Sequence, residues 1–285
     1  MLLCYTCGIR AQSLPMNEHH PTSFAFETLE VRRDRDLLWV VLDNPGKANA
    51  LSPRMIAEVT DLYGRQLLAD GIRAVILRGA GKHFSAGADL EHLRSLRDAG
   101  PEENREDSGA LRGLFASVLR QRALTVAMVH GSCVAGGCGL ATAHDYVVSA
   151  ESARYMYSEV RIGFVAALVA TFLPLRVRGR DLRELLLDPQ FLTAARALEI
   201  GLVNRVVPDD ELKTSALELV SGILERASSE SIARTKELLL DAVGRTLDDA
   251  LDRAAEINAE ARGTDDCRHG IATFLDTKQP PRWRN

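Results

Sequence analysis

Two glycine-bearing loops, about fifty residues apart, hold the residues whose types and spacing suggest chemistry. The first runs Lys82-His83-Phe84-Ser85-Ala86-Gly87-Ala88-Asp89-Leu90. The second runs Val129-His130-Gly131-Ser132-Cys133-Val134-Ala135-Gly136-Gly137-Cys138-Gly139-Leu140. A strand-like apolar run precedes each, Ala74 to Leu77 and Leu124 to Val129, and each leads into a segment able to start a helix. Glycine lets the backbone approach a ligand closely. A helix start presents free N–H groups with a partial positive charge. Two such loops converging in space would form a two-donor oxyanion hole, which stabilises enolate-like charge on a thioester.

The elements that must position these loops are readable from periodicity. From Phe24 to Asp43 two strand-like runs end in Leu38-Trp39-Val40-Val41-Leu42, and Asn44-Pro45-Gly46 punctuates them as a turn. Ser52-Pro53 marks a helix start, serine capping and proline in the first helical position. Met55, Ile56, Val59, Leu62, Tyr63 and Leu67 follow at helical spacing. A strand over 74–78 feeds the first loop and a helix near Leu90 to Arg97. Asp98 to Asp107 reads as an exposed, variable loop, and a helix from about Ser108 to Arg122 leads to a strand over 124–129. The second loop, its helix and strand Tyr146-Val147-Val148 follow. Strands alternating with helices predict an α/β fold with parallel pairing. Past about residue 209 the strand pattern ends; Ser231 to Val243, Leu247 to Ala261 and Asp265 to Leu275 read as helices, with Gly263 where a C-cap belongs. The expected organisation is a tail over 1–22, a core with the active site over 23–208 and a helical region over 209–285.

Composition sets the outer limits. A chain of 285 residues, 46% hydrophobic and 26% charged, fits one large soluble domain, alone or with a helical appendage. No apolar stretch suits a membrane span: Ile162 to Pro174 is too short and is flanked by Arg161 and Arg176. A net charge of −4 leaves no global basic field for nucleic acid, so an anionic ligand would need local cations. Five cysteines, Cys4, Cys7, Cys133, Cys138 and Cys267, are an odd number and argue against a disulfide framework. Cys4 and Cys7 have CxxC spacing with no second pair at zinc-finger spacing, so no metal site is expected. The first fifteen residues read as a tail or an upstream start before Met16, without the basic region and apolar core of a secretory signal, so a cytoplasmic location is the expectation. Gly79-Ala80-Gly81-Lys82-His83 lacks P-loop spacing, and Phe84-Ser85-Ala86-Gly87 lacks the first glycine of a nucleophile elbow.

Five segments, in order, resemble the enoyl-CoA hydratase/isomerase (crotonase) superfamily over roughly Thr28 to the C-terminus. They are Val41-Leu42-Asp43-Asn44-Pro45 with Ala48-Asn49-Ala50-Leu51-Ser52, then Phe84 to Leu90, then Ala135 to Ala141. Ser158-Glu159-Val160-Arg161-Ile162-Gly163 and Ala197 to Pro208 complete the set. The resemblance implies a crotonase-like spiral of ββα units with a C-terminal helical trimerisation region, assembled as a homotrimer or as a hexamer of two trimers. It implies an acyl-CoA thioester substrate, with coenzyme A part of the substrate and no separate cofactor, and neither nucleic acid nor membrane as partner. It assigns the oxyanion donors to the N–H groups of Ala88 and Gly136 and the catalytic carboxylate to Glu159. Lys47, Ala48, Ala50, Ala86, Asp89, Leu90 and Gly137 fall on the segments that contact CoA, and Lys82, Arg94 and Lys278 are further candidates for its phosphates.

Glu159 has mostly apolar neighbours, where desolvation raises a carboxyl pKa toward the range useful for proton transfer. The chain departs from the family at Gly139, where hydratases usually carry another glutamate. Adding water to a double bond asks for one group to activate water and another to protonate the α-carbon. Shifting a double bond needs one carboxylate, which removes a proton from the α-carbon and returns it to the γ-carbon. Single-carboxylate chemistry is therefore favoured, isomerisation first, with decarboxylation or thioester hydrolysis as variants. The alternatives are a hydratase compensated by His144, Asp145, Glu91 or Asp89, and a non-catalytic member that binds acyl-CoA or a protein partner. After Gly163 the run from Phe164 to Phe172 is apolar, which suits an acyl pocket or a buried helix.

Overall fold

The computed structural model describes residues 24–283, so the expected tail with Cys4 and Cys7 lies outside the described residues. The strands are β1 (Leu29–Asp34), β2 (Leu37–Leu42), β3 (Ala74–Gly79), β4 (Leu124–Val129), β5 (Ser132–Val134), β6 (Tyr146–Ala150), β7 (Arg154–Met156), β8 (Leu192–Thr193) and β9 (Arg205–Val207). A first sheet has the order β1-β2-β3-β4-β6-β9, antiparallel only at the β1–β2 hairpin. A second, smaller sheet has the order β5-β7-β8. The helices of the core are α1 (Pro53–Gly64), α2 (Leu90–Leu96), α3 (Pro101–Arg120), α4 (Gly136–Thr142), α5 (Gly179–Leu187) and α6 (Ala194–Glu199). Beyond the last strand lie α7 (Leu212–Arg226), α8 (Ser229–Asp241), α9 (Leu247–Arg262) and α10 (Asp265–Thr277).

The inner strands are mostly apolar because both faces of the first sheet are covered. On one face Leu38, Val40 and Leu42 of β2 join Val75 and Leu77 of β3 against α1 and α3, through Met55, Val59, Leu114 and Val118. On the other, Leu37, Trp39, Ala74 and Ile76 pack with Leu212, Ala216 and Val220 of α7. Each long strand then hands the chain to a short extended piece and a helix: β3 to Ser85 and α2, β4 to β5 and α4, β6 to β7 and a 3-10 turn at Glu159–Ile162. Ser85 bridges Cys133 in parallel, and β5 pairs with β7, so the short pieces stack beside one another. This stepping is the expected ββα spiral, and it collects the strand-to-helix loops on one side of the molecule.

Two local expectations are corrected. The charged stretch from Pro101 to Asp107 is not a loop; it is the first two turns of α3. Pro101 occupies the first helical position, and Glu103 Oε2 reaches back to accept from the Gly100 N–H at 2.9 Å. The run after Gly163 is no buried α-helix but a chain of 3-10 turns at Val169–Thr171 and Leu173–Leu175. Gly263 does cap α9, in a right-handed conformation (φ −80°). The helix α7 had no counterpart in the sequence reading. No helix among the described residues is long and apolar enough to cross a membrane. Around α8–α10 a set of large apolar side chains stands exposed: Leu239, Val243, Leu247, Leu251, Phe274 and Leu275.

Candidate active site

The two glycine loops meet. Gly87 has φ +86°, and a Cβ there would lie 2.7 Å from Val134 O and 3.4 Å from the Gly136 nitrogen, so only glycine lets the first loop pass against the second. Val134 N–H donates to Ser85 O at 3.0 Å. The 48–51 segment straps the first loop from its other side: Ala86 N–H donates to Ala48 O at 2.9 Å and Leu51 N–H to Gly87 O at 2.6 Å. Asn49 holds this strap in shape. Buried and left-handed (φ 53°), it accepts from Asn44 N–H at 3.0 Å and donates to Ala80 O at 2.8 Å and His83 O at 2.9 Å. Ser85 Oγ closes the knot by donating to Asn49 O at 2.8 Å. Asn49 and Ser85 were quoted in the sequence motifs without a role. An asparagine between two alanines before a Ser-Pro helix start was the signal, since asparagine tolerates the left-handed region and bonds backbone groups.

The proposed donors are free. Ala88 forms a parallel bridge with Leu51, and the bridge takes its hydrogen bond from Leu51 N–H, leaving the Ala88 N–H outside the ladder. Gly136 opens α4, where an N–H has no intrahelical acceptor. Neither amide donates to a protein acceptor among the described residues. Ala135, the residue before, has φ +47° and ψ −121°, a strained backbone for an alanine, and its N–H is fixed on Met156 O at 2.7 Å. That bond also ties the second loop to β7, three residues before Glu159.

Glu159 starts the 3-10 turn that follows β7, and the left-handed Gly163 closes that turn. Its Oε2 is buried and accepts no hydrogen bond among the described residues. Burial raises its pKa, opposed only by its own backbone amide. No cation pairs with it among the described residues, and a carboxyl raised in this way is the kind that can both take and return a proton. Tyr157 is buried next to it, its phenol pushed well above the ordinary range by burial, its OH 3.3 Å from Thr142 Oγ1. Tyr155 donates to Ser149 Oγ at 2.7 Å. Both tyrosines are core residues.

The other candidates divide. Ala86, Ala88 and Leu90 alternate outward along the extended first loop, with Lys47 exposed at its edge, so these residues form an accessible rim. Asp89 points inward: it caps α2 by accepting from Glu91 N–H at 2.8 Å and His92 N–H at 3.3 Å, and it pairs with Lys47 Nζ at 3.1 Å. Lys47 also meets Glu91 at 2.5 Å, and Glu91, then Asp89, raise its pKa. Ala48 is half-buried, and Ala50 and Gly137 are buried in the loop packing, shaping the rim from beneath. The residues proposed to replace a second acid are all engaged. His144 donates from Nδ1 to Leu140 O at 2.8 Å and accepts the Tyr63 hydroxyl on Nε2 at 2.8 Å, and burial takes its pKa down to about 3, so it is a neutral core histidine. Asp145 accepts from Thr125 N–H at 2.8 Å and Lys236 Nζ at 2.6 Å. No group of three or more His, Cys, Asp or Glu side chains among the described residues is placed to hold a metal.

The family model for enoyl-CoA hydratase/isomerase matches residues 32–285. The chain belongs to the enoyl-CoA hydratase/isomerase family. It is 42% identical over 244 residues to a Thermus thermophilus candidate enoyl-CoA hydratase, covering 86% of this chain and 96% of that protein. It is 30% identical over 268 residues to human mitochondrial Delta(3,5)-Delta(2,4)-dienoyl-CoA isomerase, covering 90% of this chain and 81% of the relative. The crystal structure of enoyl-CoA hydratase from Mycobacterium smegmatis superposes with a TM-score of 0.83 at 28% identity, over 91% of this chain and all (100%) of that one. The relatives carry both hydratase and isomerase names, so family membership leaves the reaction to the site.

Within this enoyl-CoA hydratase/isomerase fold, the space beside Gly139 is the informative departure. A Cβ at Gly139 would lie 2.6 Å from Val169 Cγ1 and 2.8 Å from Phe115 Cζ. The volume that a side chain at 139 would need is filled by apolar groups from α3 and the 3-10 run. Phe115 carries no sequence signal and Val169 only its place in the apolar run from Phe164 to Phe172; at 24 and 30 residues' separation from Gly139, no local pattern sets either beside it.

Proposed function

We propose that the protein is an acyl-CoA isomerase that shifts a β,γ double bond into conjugation with the thioester, using Glu159 as its one acid/base. The observation that carries this reading is the filled space at Gly139: a second carboxylate is missing there, and any side chain at 139 would have to displace Phe115 and Val169. The thioester oxygen would accept from Ala88 and Gly136 N–H, stabilising the dienolate. Glu159 would take the α-proton and deliver it to the γ-carbon. Losing one amide of such a pair costs about 3 kcal/mol of barrier. Lys47, Ala86 and Leu90 form the rim that would receive the CoA portion, with Ala48, Ala50, Asp89 and Gly137 holding its shape. The hydratase names among the relatives support a second reading, in which Glu159 alone both activates water and protonates carbon. Purified protein assayed on α,β- and β,γ-unsaturated acyl-CoA separates the two. Conversion of the β,γ isomer without hydration supports the isomerase. Rapid hydration of the conjugated substrate overturns it.

The apolar face around α8–α10 supports a homotrimer, or a hexamer of two trimers, because a face of this kind is covered in a stable assembly. Sedimentation equilibrium tests this; a monomer at micromolar concentration would sink it.

A further inference from the structure

We propose that Phe115 is the end wall of the acyl pocket and sets an upper limit on acyl-chain length. The inference deepens the reading of the site as one that takes an acyl-CoA and rests on that reading. Gly136 and Gly139 are three residues apart in α4 and so share one face of the helix. A thioester held by Gly136 N–H would send its acyl group past that face, toward the Phe115 ring. The Phe115 ring edge sits 2.8 Å from where a Gly139 Cβ would be, and Val169 closes the other flank at 2.6 Å. Phe115 leans on Phe172, with ring centroids 5.6 Å apart and planes tilted by 58°. All three side chains are buried. The wall comes from α3 and the 3-10 run, so it stands independently of the loops that would hold the thioester.

A groove of about 530 Å³ lies between α3 and α8; its apolar side is made by Ala116, Leu119, Phe172, Leu175 and Leu240, and charged side chains of α3 and α8, Lys236 and Glu237 among them, line the rest. Phe172 belongs to both wall and groove, and Ala116 is the residue next to Phe115. Taking away the Phe115 ring would therefore join the pocket to the groove. Each methylene that then leaves water gains about fourfold in affinity.

The test is calorimetric binding of butyryl-, octanoyl- and dodecanoyl-CoA to the full-length protein. These saturated thioesters are neither isomerised nor hydrated, so the reading is independent of the reaction. In the wild-type protein, affinity is expected to stop rising before dodecanoyl-CoA. Phe115→Ala is expected to favour dodecanoyl- over butyryl-CoA by at least about tenfold more than wild type does. Phe115→Leu keeps most of the buried volume and moves the ratio the same way by less, so the comparison survives if the alanine variant does not fold. Adding Leu119→Trp to the Phe115→Ala protein plugs the groove and removes the gain. The proposal is overturned if wild-type affinity climbs steadily to dodecanoyl-CoA, or if the Phe115 variants weaken all three ligands equally. Absence of butyryl-CoA binding to wild type sinks the acyl-CoA reading itself, and this proposal with it, a result distinct from a failed wall.

Discussion

Asp89 is buried and Glu159 half-buried with one oxygen enclosed, both beside the same pair of loops, and their surroundings push them in opposite directions. Asp89 sits at the rim. Burial alone would raise its pKa, but the Lys47 ammonium and the N–H groups of Glu91 and His92 outweigh that and hold it below the usual carboxylate range. Glu159 sits inside, with an oxygen that has no partner among the described residues and with a raised pKa caused by burial. A carboxylate with a full set of partners is a structural clamp, because its charge is already spoken for. One left without partners is costly to the fold and free for a proton, the usual sign of a functional group. Glu58 shows the clamp again elsewhere: it accepts from Thr28 N–H at 2.8 Å and from Arg54 Nε at 2.8 Å.

The largest effect expected from this contrast is on catalysis. Glu159→Gln should lower kcat on a β,γ-unsaturated acyl-CoA by about 10²–10⁴-fold while leaving saturated acyl-CoA affinity nearly unchanged. Retained turnover would erase the distinction between the two carboxylates. The same substitution should raise Tm at neutral pH. Protons bind more tightly to Glu159 in the folded state, so the charge destabilises the fold once pH rises above the unfolded value near 4.3. The difference between wild type and Glu159→Gln should therefore shrink as pH falls toward that value, a result read by thermal melts across pH.

Adding a carboxylate where the interior has none sharpens the contrast. Gly139→Glu should destabilise by about 3 kcal/mol or more, since overpacking against Phe115 and Val169 combines with a buried charge, and it should not create hydratase activity. Combining it with Phe115→Ala should recover part of that loss in urea titrations. Hydration by the single variant would show that the wall yields readily.

The rim should respond more mildly. Asn49→Ala removes three hydrogen bonds and leaves buried groups unpaired, about 2–3 kcal/mol by denaturant titration, with a larger KM as the first loop loosens. Asp89→Asn keeps the capping oxygen but loses the charge that meets Lys47, and should cost up to about 1 kcal/mol at neutral pH and raise KM a few-fold with kcat kept. Its sign with pH is opposite to that of Glu159. The folded pKa is lowered, so its stabilisation is present above the unfolded value near 3.9 and is lost as pH falls through the folded one. If the two carboxylate variants responded to pH in the same sense, the comparison would fail.

Much of the fold was legible because its signals are local. The apolar strands over 124–129, the Ser52-Pro53 start of α1 and the helices after residue 228 fall where period and capping placed them. The start of α3 was misread because a charged segment resembles a loop until the proline and the Glu103 cap are seen to act together. The 3-10 run after Gly163 was ambiguous because short apolar stretches carry no decisive period.

The chain by itself determined that two small-residue loops end on strand-to-helix turns, that Glu159 lies among apolar neighbours, and that position 139 has no side chain. These follow from residue type and spacing over a few positions. Only the tertiary structure decided that Gly87 touches the Gly136 loop, that His144 is locked between Tyr63 and Leu140, and that Phe115 occupies the space beside Gly139. Each of those joins residues far apart in sequence, and such contacts are set by how the sheets and helices pack, which no local pattern encodes.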